Sequence, residues 1–206
     1  MDSNQHSDTR RGLAVKREPV EEFRPTSGRI QGVIAVVAAA VLVVIGFRDL
    51  DRGFPAPIIA AALLLGVLAW AAMLRPRLWA TADDLVMRNM LHTVSIPLAA
   101  IQTVVVRQVL AIGVGEGRYV SPAIGQSARQ TARAERGGRK SPTESYQVFV
   151  EERIVQLAEN ARLQLGVEKH SDEQVALAVG VRRSWAWPEI VALAVCVLAL
   201  VLTVVL

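Results

Sequence analysis

Cysteine is almost missing from this chain: Cys196 stands alone inside an apolar run, which excludes an intrachain disulfide framework and a cysteine-built metal site. Histidine is scarce too. His6, His92 and His170 fall in a polar tail, a turn and a linker, without the i, i+4 spacing that sets two ligands on one helical face, so no metal and no cofactor is expected. The sequence lacks a serine-centred elbow, a phosphate loop ending in Gly-Lys-Ser/Thr and a dinucleotide fingerprint. GVGEGR at 113–118 has the glycines without the spacing or the following helix, and is read as a hairpin turn. Asp83 and Asp84 are adjacent, so on a strand they point to opposite faces and do not form a carboxylate pair. These absences argue against an enzyme. Lysine is also rare, three residues against 20 arginines, a bias that suits a high-GC genome better than a lysine-rich nucleic-acid-binding tail.

What the chain has in abundance is apolar residues, 52% of the total, with a mean hydropathy of +0.34, too apolar for an ordinary soluble protein of 206 residues. Ile30–Phe47 and Ala56–Leu74 are uncharged runs of 18 and 19 residues, each close to the ~30 Å hydrocarbon thickness at ~1.5 Å per residue. A third run, Ile190–Leu206, closes a segment beginning at residue 185. The connector RDLDRGFP is short, so the first two spans (30–47 and 56–74) form a tight antiparallel hairpin. Small residues recur four apart at Ala35/Ala39 and Ala62/Gly66, a spacing that permits close helix approach, although most alanines in such spans face lipid. Arg24, Arg29, Arg75, Arg77, Arg182 and Arg183 flank the span ends on one side against Arg48 and Arg52 on the other, which predicts a cytoplasmic amino terminus, a cytoplasmic segment 75–184 and an outward carboxyl terminus. Residues 1–29 mix basic and acidic side chains with little apolar content and are expected to be a disordered tail; a cleaved signal peptide fits less well, because 29 residues precede the apolar run. Glu189, the only acidic residue beside an apolar run, is expected to snorkel to the headgroups.

Between the second and third spans the periodicity changes. Leu85/Met87 and Val94/Ile96/Leu98 alternate with a period of two around RNMLHT, predicting a hairpin bent near Asn89–His92. Pro97 has no N–H for a sheet ladder and interrupts the second strand. Ile101–Val106 resumes a β-branched run, and Gln108–Val114 with Tyr119–Ile124 predicts a further hairpin bent at Gly115–Gly117, giving four or five strands in all. The order RPRLWATADDLVMRNMLHTVSIPLAAI directly after a pair of spans resembles the bacterial PH-like domain of small membrane proteins from high-GC bacteria. Leu98 stands where that family often has Trp after the proline, a change in core packing. The resemblance implies an α+β membrane protein in which three transmembrane helices carry a small cytoplasmic PH-like antiparallel β domain, closed by an amphipathic helix, in a bacterial cell membrane.

Residues 126–140 are rich in Ser, Gly and Gln and carry Arg129, Arg133, Arg136, Arg139 and Lys140 against the single Glu135. They read as a mobile basic loop, either a solvated linker or a patch facing an anionic leaflet. Ser141, Pro142 and Glu144 form a helix-start signal, and Tyr146, Val150, Ile154, Leu157, Ala161 and Leu165 then recur at three- and four-residue steps up to Gly166. Residues 171–183 are read as a second helix returning to the membrane, with a strand added to the module's sheet as the alternative. The expected function is a non-enzymatic, membrane-anchored surface for a protein partner or anionic lipid, within a larger membrane complex or a homo-oligomer. The binding candidates are the loop cations with Arg88, Arg107 and Arg118. A membrane enzyme or transporter subunit with a site between helices would need polar residues deep in the spans, where only Cys196 and Thr203 occur. Nucleic acid ranks last, since the cations lie where anionic lipid competes.

Overall fold

The computed structural model describes residues 19–25, 28–125 and 142–205. The loop cations Arg129, Arg133, Arg136, Arg139 and Lys140, the capping Ser141 and the tail 1–18 lie outside the described residues.

Three helices are long and apolar enough to cross a membrane: α1 (Arg29–Arg48), α2 (Ala56–Ala69, extended by a π turn over Trp70–Leu74) and a carboxyl-terminal helix, Trp187–Val205. Helix α2 packs against both of the others. Its contact with α1 is set by small residues at seven-residue intervals, because Gly32, Ala39 and Gly46 are the buried positions of α1. A Cβ on Gly46 would lie 2.5 Å from Ile59 Cγ1, and one on Gly66 3.0 Å from Ala39 Cβ, so the backbones meet where side chains are smallest. Ala39 therefore belongs to the seam and Ala62 is buried, whereas Ala35 is exposed.

The module holds two antiparallel sheets. Strands β1 (Glu21–Phe23), β2 (Arg77–Ala80), β3 (Asp84–Arg88), β4 (His92–Pro97) and β8 (Arg182–Trp185) form the first in the order β1-β2-β3-β4-β8. Strands β5 (Thr103–Val106), β6 (Leu110–Val114) and β7 (Gly117–Ser121) form the second. The alternation seen in the sequence is the cause: Leu78, Leu85, Met87, Val94 and Ile96 are buried on one face of the first sheet, and Leu110, Ile112 and Val114 meet them from the second. Helix α3 (Pro142–Leu165) covers this core with Val150, Ile154 and Ala158, packing on β5 and on the 3-10 turn Leu98–Ala100. It stops at Gly166, whose φ of 67° serves a Schellman ending: Val167 N–H donates to Arg162 O and Gly166 N–H to Leu163 O. The short helix α4 (Asp172–Ala176) is capped by Ser171, and its buried Gln174 donates to the carbonyls of Ala99 and Ile101, pinning α4 to the same turn. The helix Trp187–Val205 is α5.

Four expectations are corrected. The amino-terminal tail is not disordered up to residue 29: Glu21–Phe23 pairs with β2, buries Phe23 to 2% exposure and is held to α3 by Arg153 donating to Glu21 and by Arg24 N–H donating to the Tyr146 hydroxyl. The stretch 75–125 holds six strands rather than four or five, since Arg77–Ala80 is also a strand. The helix read over 171–183 ends at Ala176, gives one 3-10 turn (Leu177–Gly180) and becomes β8, because the open edge of β4 offers it backbone partners. Glu189 does not snorkel; it is buried in an ion pair.

Candidate functional site

Where the module meets the helices, one carboxylate organises two cations. Arg75 is the residue at which α2 ends and Glu189 lies in the first turn of α5, and the Arg75 Nε donates to Glu189 Oε1 at 2.6 Å. Both side chains are almost wholly buried, 4% and 9% exposed. The Arg75 guanidinium also donates to the backbone carbonyl of Asn89, at the bend between β3 and β4. A single side chain thus ties α2, α5 and the β3–β4 hairpin together. Arg88, at the end of β3, approaches the same Glu189 oxygen at 3.8 Å and stays partly exposed. Burial, followed by the like charge of Arg75, lowers the Arg88 pKa from its ordinary value.

Across the hairpin lies a second group. Asn89 Nδ2 donates to Val120 O at 3.0 Å and stands 3.2 Å from His92 Nε2, while an Arg183 guanidinium nitrogen stands 3.3 Å from His92 Nδ1. Arg183 also lies over the Trp185 ring, 4.4 Å from its centroid, and Trp185 meets His92 edge-on. An imidazolium here would present a proton to a hydrogen-bond donor on each side. Burial, then Arg183 and then Arg75 hold the His92 pKa below its ordinary value, so the ring is kept neutral. Asn89 Oδ1 is buried without a hydrogen-bond partner among the described residues, so the bend is short of donors aimed at it and rich in donors aimed outward.

The binding candidates named from the sequence are spread over the module. Arg88 belongs to the junction, on the first sheet. Arg107 is exposed in the turn between β5 and β6, where its carbonyl accepts from Gln147 of α3, and Arg118 is exposed on β7 opposite Gly113. These three do not form one patch. The outer face of α3 is not simply solvated: Glu151 accepts the Val106 N–H at 3.0 Å, while Val148, Phe149, Val155 and Leu163 are exposed hydrophobics on the same helix. Sequence reasoning missed Arg75 and Glu189 as partners. Their only local signal was an acidic residue and a basic residue each at the end of an apolar run, which alone reads as interfacial anchoring.

An open pocket of about 160 Å³ is lined by Pro25, Gly28, Met73, Pro76 and Pro122 among others, with no charged side chain among the described residues. Among the described residues no three His, Cys, Asp or Glu side chains gather as a metal site. The arrangement can hold charge and donate hydrogen bonds. Comparison with protein-family models, with curated proteins and with solved structures finds no match.

Proposed function

We propose that this chain is a non-enzymatic, membrane-anchored PH-like protein whose module presents a cytoplasmic surface to a protein partner, as an accessory subunit of a membrane complex. The observation that carries this is the buried Arg75–Glu189 pair with its link to Asn89, which fixes the module rigidly to the ends of two apolar helices. A module held in this way has no need of lipid affinity to reach the membrane, so its exposed surface is available for docking. The succession of β1–β4 in one sheet, β5–β7 in a second and a long covering helix supports the PH-like reading. Phe149 and Leu163 on α3, 52% and 73% accessible, offer apolar contact on that face.

Arginines at the span ends, together with the sheet, support the orientation. Strand β1 precedes α1, β2 follows α2 and β8 precedes α5, and all three share one sheet, so these segments stand on one side of a bilayer. Arginine bias assigns that side to the cytoplasm, and the single crossing of α5 carries the carboxyl end outward. The test is purification of the full-length protein in mild detergent with mass spectrometry, beside two variants: Phe149→Asp, and replacement of 126–140 by a neutral Gly/Ser linker. A defined set of membrane proteins lost from at least one variant is the expected result. The same background with all three forms overturns the docking role.

A further inference from the structure

The cross-strand register of the first sheet lines up four polar residues in one row. Arg77 pairs with Arg88, Arg88 with Thr93, and Thr93 with Ser184, and paired residues on antiparallel strands share a face. At ~4.8 Å between strands the row is about 14 Å wide. It lies close to the ends of two apolar helices: Arg77 follows the π turn that ends at Leu74, and Ser184 precedes α5, which starts at Trp187. Two guanidinium groups directly opposed across a ladder repel each other. Beside Arg88 one negative charge is shared by two guanidinium groups, since the Glu189 oxygen 3.8 Å from Arg88 is held at 2.6 Å by Arg75. An anion bridging Arg77 and Arg88, with the Thr93 and Ser184 hydroxyls beside it, supplies what the row lacks.

We propose that the Arg77–Arg88–Thr93–Ser184 row binds the phosphate of an anionic phospholipid headgroup at the level where α2 and α5 leave the apolar layer. The height of the row beside the helix ends favours a lipid over a free phosphate. The inference rests on the helices crossing a bilayer and not on the docking role, so either can fail alone.

The test uses purified full-length protein and native mass spectrometry with added phosphatidylglycerol or phosphatidylcholine. Wild type is expected to retain phosphatidylglycerol in preference, and Arg77→Gln and Arg88→Gln each to lose retention about fivefold, the equivalent of ~1 kcal/mol per cation at a charged surface. Lys169→Gln, in the exposed segment between α3 and α4, is expected to match wild type. Since Arg88 also faces Glu189, exposed Arg77 carries the test if Arg88→Gln fails to fold. Unchanged retention in Arg77→Gln, equal loss in Lys169→Gln, or equal retention of phosphatidylcholine overturns the proposal. Displacement of the lipid by millimolar inorganic phosphate, lost in Arg77→Gln, would assign the row to a soluble phosphate instead.

Discussion

Replacing Glu189 by Gln keeps the size of the side chain and one oxygen for Arg75, and removes only the charge. Arg75 then stays 4% exposed with a formal positive charge and no carboxylate, its remaining acceptors being a neutral amide oxygen and the Asn89 carbonyl. Removing one partner of a buried pair typically costs about 3–5 kcal/mol, because the other ion is left in a medium that solvates it poorly. For a chain of this size ~1 kcal/mol corresponds to about 2–4 °C, so Glu189→Gln is expected to unfold about 10 °C below wild type in detergent. The double variant Arg75→Met with Glu189→Leu removes both charges. It leaves the Asn89 carbonyl without its donor, a cost of about 1–3 kcal/mol, and should therefore unfold above Glu189→Gln despite carrying one more substitution. The assay is thermal unfolding followed by intrinsic fluorescence, with all variants in the same detergent. Glu189→Gln within about 1 °C of wild type, or a double variant less stable than the single, would refute the role given to this pair.

Three further outcomes are expected. His92 has a folded-state pKa below its unfolded value of about 6.5, so the unfolded chain binds the proton that the folded ring resists. Its contribution to stability is complete above about pH 6.5 and is lost as the pH falls through the folded pKa; melting temperatures between pH 8 and pH 5 should show a slope that His92→Gln reduces, and equal slopes would contradict the account. Gly46→Leu drives a side chain into Ile59 and should cost at least about 1–3 kcal/mol, whereas Ala35→Leu, on the exposed face, should stay within about 0.5 kcal/mol by the same unfolding measurement. Phe23→Ala is expected to cost about 3–5 kcal/mol and to open the segment before α1 to limited proteolysis, unlike a substitution at exposed Val20.

What was legible in the sequence is what local pattern encodes. The β3–β4 and β6–β7 hairpins follow from alternation around Asn89–His92 and Gly115–Gly117, and the Gly166 stop and buried face of α3 follow from helical spacing. The three apolar helices were equally plain, since a run long enough to cross hydrocarbon leaves few alternatives. What was hidden depends on partners distant in the chain. Strand β1 has only three residues, and its partner β2 arrives after two intervening helices. Strand β8, Arg182–Trp185, has no β-branched residue and follows a Val-rich stretch that is helical, so only the free edge of β4 marks it as a strand. Arg75 and Glu189 are separated by 114 positions, and neither has a neighbour in sequence that announces the other. The sequence-derived cations Arg88, Arg107 and Arg118 were identified by charge alone, which says nothing of whether they share a surface; register and turn position set them apart.

The position of α1 and α2 between β1 and β2 dictates an order of assembly. Strand β1 is synthesised before either helix, yet its sheet partner among the described residues follows both, so the pair cannot form until the helical hairpin has been made. Strands β2, β3 and β4 can meanwhile pair through short turns, and β8 joins only after α3 and α4 have been made. The first sheet therefore grows from its centre outward, and its two edges are the last to close. Those edges are three and four residues long and run directly towards or away from apolar helices. Such short, tethered margins offer little template to a passing strand, so insertion of the helices also protects the sheet from pairing with another copy.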